Sequence, residues 1–341
     1  MKNNNYRNLS SKWLVRSLLI LVIAATLILY ADHILKAVDP SGLFLENIRE
    51  GIRQIPAIQI IRKACRQVLR EVLLSPTFYL LTLGILILEW WKPGNRKQKL
   101  LSPGLGQDLL WLIGSFFIAG LLLVPFTALL RSGYGHFLRP LSINLPGQLQ
   151  LPPVVTMIVA ILAVDFLSWY AHWLQHHNRF LWRFHAVHHS QAEMNLFTDA
   201  RFHFGDALIA YPLQILPLYL LLIPFPHGIY YVFFRIWYPR FYHANIKMNL
   251  GPLKYIFVTP QSHRVHHSTD RKHWDKNFGV IFSFWDYLFR TQYRGYQEYP
   301  STGIDDPNFP VETHLSFREL PKNYLKQLLH PFHIRQRQSS T

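Results

Sequence analysis

A single cysteine, Cys65, stands among 341 residues. One thiol excludes a disulfide within the chain, a cysteine-ligated iron–sulfur cluster and a cysteine zinc knuckle. Acidic side chains are also scarce: 19 Asp and Glu against 35 Lys and Arg leave a formal charge of +16. That surplus suits either nucleic acid or an anionic membrane surface. The basic residues flank apolar runs rather than forming one patch, so the membrane accounts for them better and no nucleic-acid partner is expected. The GxGxxG fingerprint of a nicotinamide or flavin site is missing, and so is the HExxH of one class of zinc peptidase. Formal charge is itself missing over 109–130 and 207–234.

What is present begins with those apolar runs. Half the residues are hydrophobic and 15% are aromatic. An uncleaved anchor helix is expected from Ser17 to Ala31, since no small-x-small cleavage pattern follows it. Between 45 and 72, isoleucines and valines recur every three or four residues with arginines between them, the pattern of an interfacial amphipathic helix. Spans are expected over 72–88, ending in the aromatic anchor Trp90-Trp91, over 109–130, and from Val154 onward. The loop carrying Lys92, Arg96, Lys97 and Lys99 reads as cytoplasmic by the positive-inside rule. The run 207–234 would be roughly 42 Å long as one helix, more than a bilayer core needs. A hairpin turning near Pro224 to Gly228 is expected instead, returning the chain to the side it left. The expected fold is an all-α integral membrane protein whose transmembrane helices carry a cytoplasmic, histidine-rich helical cap around a di-metal site. Residues 1–150 would be the anchor region of about three spans, 151–295 the catalytic domain and 296–341 a polar tail with a late amphipathic piece.

The histidines are the most informative residues. His172 and His176 lie one helical turn apart, as do His185, His188 and His189, and HxxHH recurs at His263, His266 and His267. Residues three and four apart share a helix face, so each group presents its rings together. Imidazole suits iron, copper, zinc and nickel. Eight such ligands exceed the four that one zinc usually takes. Two metals fit the count, and two irons with open positions for O2 account for the most residues. Asp165 and Asp206 are candidates to offset the metal charge and orient the rings. Aromatics such as Trp169, Tyr170, Trp173 and Trp182 are core or interface residues first, and candidate linings of a substrate path second. Three rivals compete with the oxygenase. A metal or proton transporter predicts histidines within the spans, whereas these cluster beyond the ends; a haem carrier needs only one or two; a zinc hydrolase would use the same ligands.

The segment from Val155 to Thr291 resembles the fatty acid hydroxylase and sterol desaturase superfamily of membrane di-iron oxygenases. The matching pieces are HWLQH (172–176), LWRFHAVHH (181–189), NLFTDARFH (195–203), HAN (243–245), TPQSHRVHH (259–267) and KNFGVIFSFWDYLF (276–289). The resemblance implies that His172, His176, His185, His188, His189, His263, His266 and His267 bind two irons. It also implicates His243 as a ligand, His203 as a further ligand or hydrogen-bond donor, and Asn245 as a supporting residue. His177 is expected to face outward, and His273 to lie in a loop beside the site, where it could equally be a surface residue; the other histidines are structural. It further implies O2 as co-substrate, a lipid substrate (sterol, fatty acyl or ether lipid) that is hydroxylated or desaturated, and electrons from outside the chain: a ferredoxin, a b-type cytochrome or a pterin. Arg290 replaces the small residue usual in the WDxxFGT-like element, and Phe204 and Asp206 stand where a Pro and a Glu are common.

Overall fold

The computed structural model describes residues 75–332 apart from 100, 119–121, 123, 224–228 and 317. The expected anchor at 17–31 and the amphipathic stretch at 45–72 lie outside the described residues. Among those described, the protein is helical without strands; three isolated bridges, Pro93 with Ile246, Phe257 with Phe282 and Ser268 with Thr302, fasten its loops.

Helix α1 runs Pro76–Trp91. Proline at its first position gives up an N–H that the helix could not have paired, which suits a helix start there, and residues 72–74 of the expected span lie outside the described residues. Helices α2 (Pro103–Ile118) and α3 (Val124–Phe137) occupy the stretch expected as a single span over 109–130. The start at Pro103 draws a polar turn into α2, and Gln107 and Asp108 are fully buried there. Helix α4 (Pro153–His177) is 25 residues long, about 38 Å at 1.5 Å per residue. It is the one described helix long and apolar enough to cross a bilayer by itself; α1 and α6 are apolar but shorter. Val154 and Ile158 near its start face outward, 62% and 48% exposed, and Leu80 (68%) and Leu83 (55%) do so on α1.

A single residue, Asn178, separates α4 from α5 (Arg179–His189). Its extended backbone ends α4, and its side-chain oxygen accepts from the N–H groups of Phe180 (2.9 Å) and Leu181 (3.2 Å) to begin α5. The chain can therefore turn sharply and fold α5 back on α4 without leaving a helix end unpaired. Helices α6 (Phe204–Leu220) and α7 (Ile229–His243) flank the expected hairpin turn, and 224–228 themselves lie outside the description. The chain does return: His243 at the end of α7 sits 3.2 Å from His188. Helix α8 (Pro260–His266) is short, fixed by a capping box between Thr259 and Ser262. Helix α9 (Glu319–Leu329) is the late amphipathic piece. It packs on α2, where Trp111 donates to Gln327 Oε1 at 2.8 Å.

Three apolar clusters make up the core of the described residues. One joins Ala160 and Val164 of α4 to Leu218, Ile223, Tyr231 and Ile281; a second joins Ile85, Leu196, Ala244 and Ile246; the third joins Trp111, Val187 and Phe309.

Candidate metal centre

Nine imidazoles converge in two groups. His172, His176, His185, His189 and His266 form one; His188, His243, His263 and His267 form the other, and within each the ligand nitrogens lie within 4.8 Å of one another. Helical spacing explains both. Along α5, His185 and His189 are one turn apart and face the α4 pair, whereas His188 is turned toward α7. The same split recurs near α8, where His266 joins the first group and His263 and His267 the second. The groups share a wall, since the His189 and His267 rings stack at 4.2 Å and 17°.

Within each group the Nε2 atoms point inward. His172 and His185 approach to 3.1 Å, His189 and His185 to 3.2 Å, His263 and His243 to 2.9 Å, and His267 and His263 to 3.1 Å. Several outer nitrogens are held by backbone carbonyls: Nδ1 of His172 by Phe278 (2.9 Å), of His188 by Arg201 (3.2 Å), of His243 by Pro239 (2.8 Å) and of His266 by Lys276 (2.8 Å). A carbonyl accepts only from N–H, so each ring carries its proton outward and presents a lone pair to the centre. Burial, reinforced by neighbouring rings, pushes His188, His189, His263 and His267 well below the ordinary histidine range. Burial likewise takes His266 down to about 3, against the opposing pull of its bond to Lys276. Neutral rings at neutral pH are what metal binding requires. Nε2 of His176 and of His266 are buried without any hydrogen-bond partner, an arrangement that is costly unless a cation takes the lone pair. The donor set therefore fits a pair of imidazole-bound metal ions.

The supporting residues divide differently from the sequence expectation. Asp206 is fully buried, accepts from Gln175 Nε2 at 2.9 Å and lies 3.7 Å from Nδ1 of His185. Asp165 instead accepts from Tyr231, Trp285 Nε1 and the N–H groups of Ile281 and Phe282, at 3.0–3.3 Å. It ties α4 to the 281–285 loop, because a carboxylate seven residues before His172 sits two turns below the rings. Asn245 likewise serves the scaffold: its side chain bonds Asn95 and Tyr299, and its N–H reaches Glu89. His203, a possible ligand by resemblance, belongs to neither group; its Nδ1 caps α6 at Gly205 and its Nε2 meets the Leu328 carbonyl at 3.0 Å. His177 faces outward as expected and stacks on Trp173. His273 is buried, bonded to Ser268 Oγ (2.8 Å) and Glu298 Oε2 (3.0 Å).

Two carboxylates were missed. Asp286 accepts from Trp169 Nε1, Thr291 Oγ1 and the N–H groups of Phe278 and Gly279. It thereby fixes the Phe278 carbonyl that orients His172. Asp108 accepts from Gln191, Asn195, Thr198 and Arg201, the last at 2.7 Å, while Arg201 also pairs with Glu312 at 2.5 Å. Arg201 and Asp108 are completely buried, and the Arg201 carbonyl holds His188. This network joins residues from all three expected segments of the chain. The available signal was slight: Asp286 lies in the WDYLF piece, and Asp108 is the charge immediately before an uncharged run.

A family model for fatty acid hydroxylase matches residues 157–291. The chain is 33% identical over 184 residues to an ornithine lipid hydroxylase of Rhizobium tropici, covering 54% of this chain and 52% of the relative. It is 30% identical over 220 residues to alkylglycerol monooxygenase of Homo sapiens, covering 64% and 46%. A very-long-chain aldehyde decarbonylase of Oryza sativa is 24% identical over 149 residues, 40% of this chain and 23% of the relative. The chain thus spans about half the length of the first two and less of the third. No solved structure matches it.

Proposed function

Residues 157–291 are a domain of the fatty acid hydroxylase and sterol desaturase superfamily, and from that premise we propose that the chain is a membrane-bound di-iron oxygenase that hydroxylates a lipid. The observation that carries the reading is the convergence of nine histidines, eight of them buried and His176 half-buried, from four helices and the residues beside them, into two adjoining groups. Two irons bound there would supply O2 activation and a two-electron oxidation of a C–H bond. The balanced reaction takes lipid, O2, two electrons and two protons to hydroxylated lipid and water. Hydroxylation is favoured over desaturation because the relatives include a lipid hydroxylase and a monooxygenase.

The chain's own residues hold and orient. Inward Nε2 atoms offer uncharged donors, backbone carbonyls and Asp206 fix the ring planes, and Trp182 and Phe278 pack on His176 at 5.0 and 5.1 Å to limit its movement. Helix α4 would cross the bilayer and place the rings at its cytoplasmic end, with residues 1–150 as anchor, 151–295 as the catalytic region and 296–341 as tail. The electrons come from a separate donor (a ferredoxin, a b-type cytochrome or a pterin), and an acidic protein donor would suit the +16 charge.

Lipid extracts from cells with and without the protein, grown under 18O2, test this directly. A product lipid heavier by one labelled oxygen, together with two irons per chain by elemental analysis, is the expected outcome. A zinc-loaded protein releasing unlabelled hydrolysis products would replace the oxygenase with a hydrolase.

A further inference from the structure

The five-histidine group borders a cavity of about 860 Å3, whose walls include His176, His189 and His266. This size lies within the range of small-molecule sites. Three cationic residues line it: Arg179 and Arg183 from α5, one helical turn apart on the same face, and Lys326 from α9. Three acidic residues line it too, one beside an arginine and two at the edge of contact with imidazoles. Asp305 lies 3.5 Å from Arg271, Asp306 lies 4.0 Å from His330, and Asp275 lies 4.0 Å from His176. No carboxylate lies within 4.0 Å of Arg179, Arg183 or Lys326 among the described residues. Arg179, Arg183 and Lys326 are therefore left without a carboxylate partner of their own and can meet an incoming anion.

We propose that this cavity binds the acidic headgroup of an amphiphilic lipid through Arg179, Arg183 and Lys326, and that this lipid is the substrate. The proposal rests on the reading of the chain as a lipid oxygenase and narrows its substrate class. A guanidinium presents a planar fork of donors that matches a carboxylate or phosphate, and two forks a turn apart can grip one acid together. Trp182, Leu325 and Leu329 share the walls, which suits a molecule with carbon attached to its acid rather than a bare anion. The placement also limits which carbon is oxidised. At 1.5 Å per residue, Arg183 lies about 9 Å and Arg179 about 15 Å along α5 from His189. The reacting carbon is therefore near the headgroup, not at the far end of a long acyl chain.

The test uses the full chain in an uncharged detergent and calorimetric titration with three monomeric probes. These are dihexanoyl phosphatidic acid, dihexanoylglycerol (which lacks the acid) and inorganic phosphate. Phosphatidic acid is expected to bind at least tenfold tighter than either of the others. The Arg179→Gln/Arg183→Gln double variant is expected to lose that advantage with its metal content unchanged, and Arg183→Lys to keep most of it. Equal binding of dihexanoylglycerol, equally tight binding of phosphate alone, or unchanged phosphatidic acid binding by the double variant would each overturn the proposal. Repeating the titration with His263→Ala separates the two readings. Binding that persists there, where turnover is not expected, shows a headgroup site whether or not the chain is an oxygenase.

Discussion

The two histidine groups are built from the same residue type, yet they differ in what surrounds them. In the five-histidine group, His176, His189 and His266 line an open cavity, and Nε2 of His176 and of His266 are without partners. In the four-histidine group all members are buried, His267 completely, and none borders that cavity. Two of its rings are bonded to backbone, His188 to the carbonyl of Arg201 in the Asp108–Arg201–Glu312 network and His243 to Pro239 in its own helix, as His172 and His266 are in the other group. The contrast teaches a division of labour. One group borders a cavity that a reactant could enter, and the other is tied through His188 to the buried Asp108–Arg201–Glu312 network.

The sharpest way to break this contrast is to remove one ligand from each group. His263→Ala leaves three ligands in the anchored group, below the four usual for a closed site. It should lower the metal content from two to one per chain and abolish labelled product, as read by elemental analysis and 18O2 turnover. Two metals retained in that variant would refute the division. Next in size is the anchor itself. Asp108→Ala leaves the fully buried Arg201 guanidinium with Glu312 alone and orphans the donors of Gln191, Asn195 and Thr198, a loss expected to cost about 3–5 kcal/mol of stability. A thermal shift near zero would show that the network supports nothing.

His176→Ala is expected to do less to metal binding, because four ligands remain in its group. Turnover should fall about ten- to a hundredfold, the range typical of a weakened metal shell, with the metal ratio near two. Asp206→Asn should act similarly through His185, since it keeps the shape and removes the charge. The smallest effect is one of pH. His266 has a pKa of about 3 when folded against about 6.5 when unfolded, so the unfolded chain binds more protons between those values. Metal-free protein should therefore have its full stability from this residue above pH 6.5 and lose it as pH falls toward 3, by about 1.4 kcal/mol per unit. His188, His189, His263 and His267 are lowered in the same direction and steepen the slope in both groups. Flat stability across that interval, measured by denaturation of the metal-free protein, would show that the rings are not held neutral.

Much of the site was legible beforehand because helical periodicity is a local property. HxxxH and HxxHH each place rings on one face whatever the rest of the chain does. The roles of the supporting residues were not local. Asp165 and Asp206 were both candidates to orient a ring, yet Asp165 pairs with a segment more than a hundred residues away and Asp206 lies beside His185. His203 sits in a histidine-rich motif but caps a helix. Arg290, anomalous as a sequence substitution, adopts φ 60°, the left-handed region that favours glycine. The sequence marked the position as unusual, and the backbone shows why a small residue would suit it.

Sequence alone determined that this is a helical, apolar, histidine-centred chain, since residue spacing, hydrophobic runs and the near absence of thiols depend on no distant contact. Tertiary structure decided how nine rings divide into five and four, which carboxylates orient them, and which group borders the cavity. Those outcomes depend on the one-residue turn at Asn178, on the return of α7 to the same end as α4, and on a buried ion pair spanning 93 residues between Asp108 and Arg201. Such long-range pairings form only when the packed core excludes water, and a linear pattern does not encode which partners it will bring together.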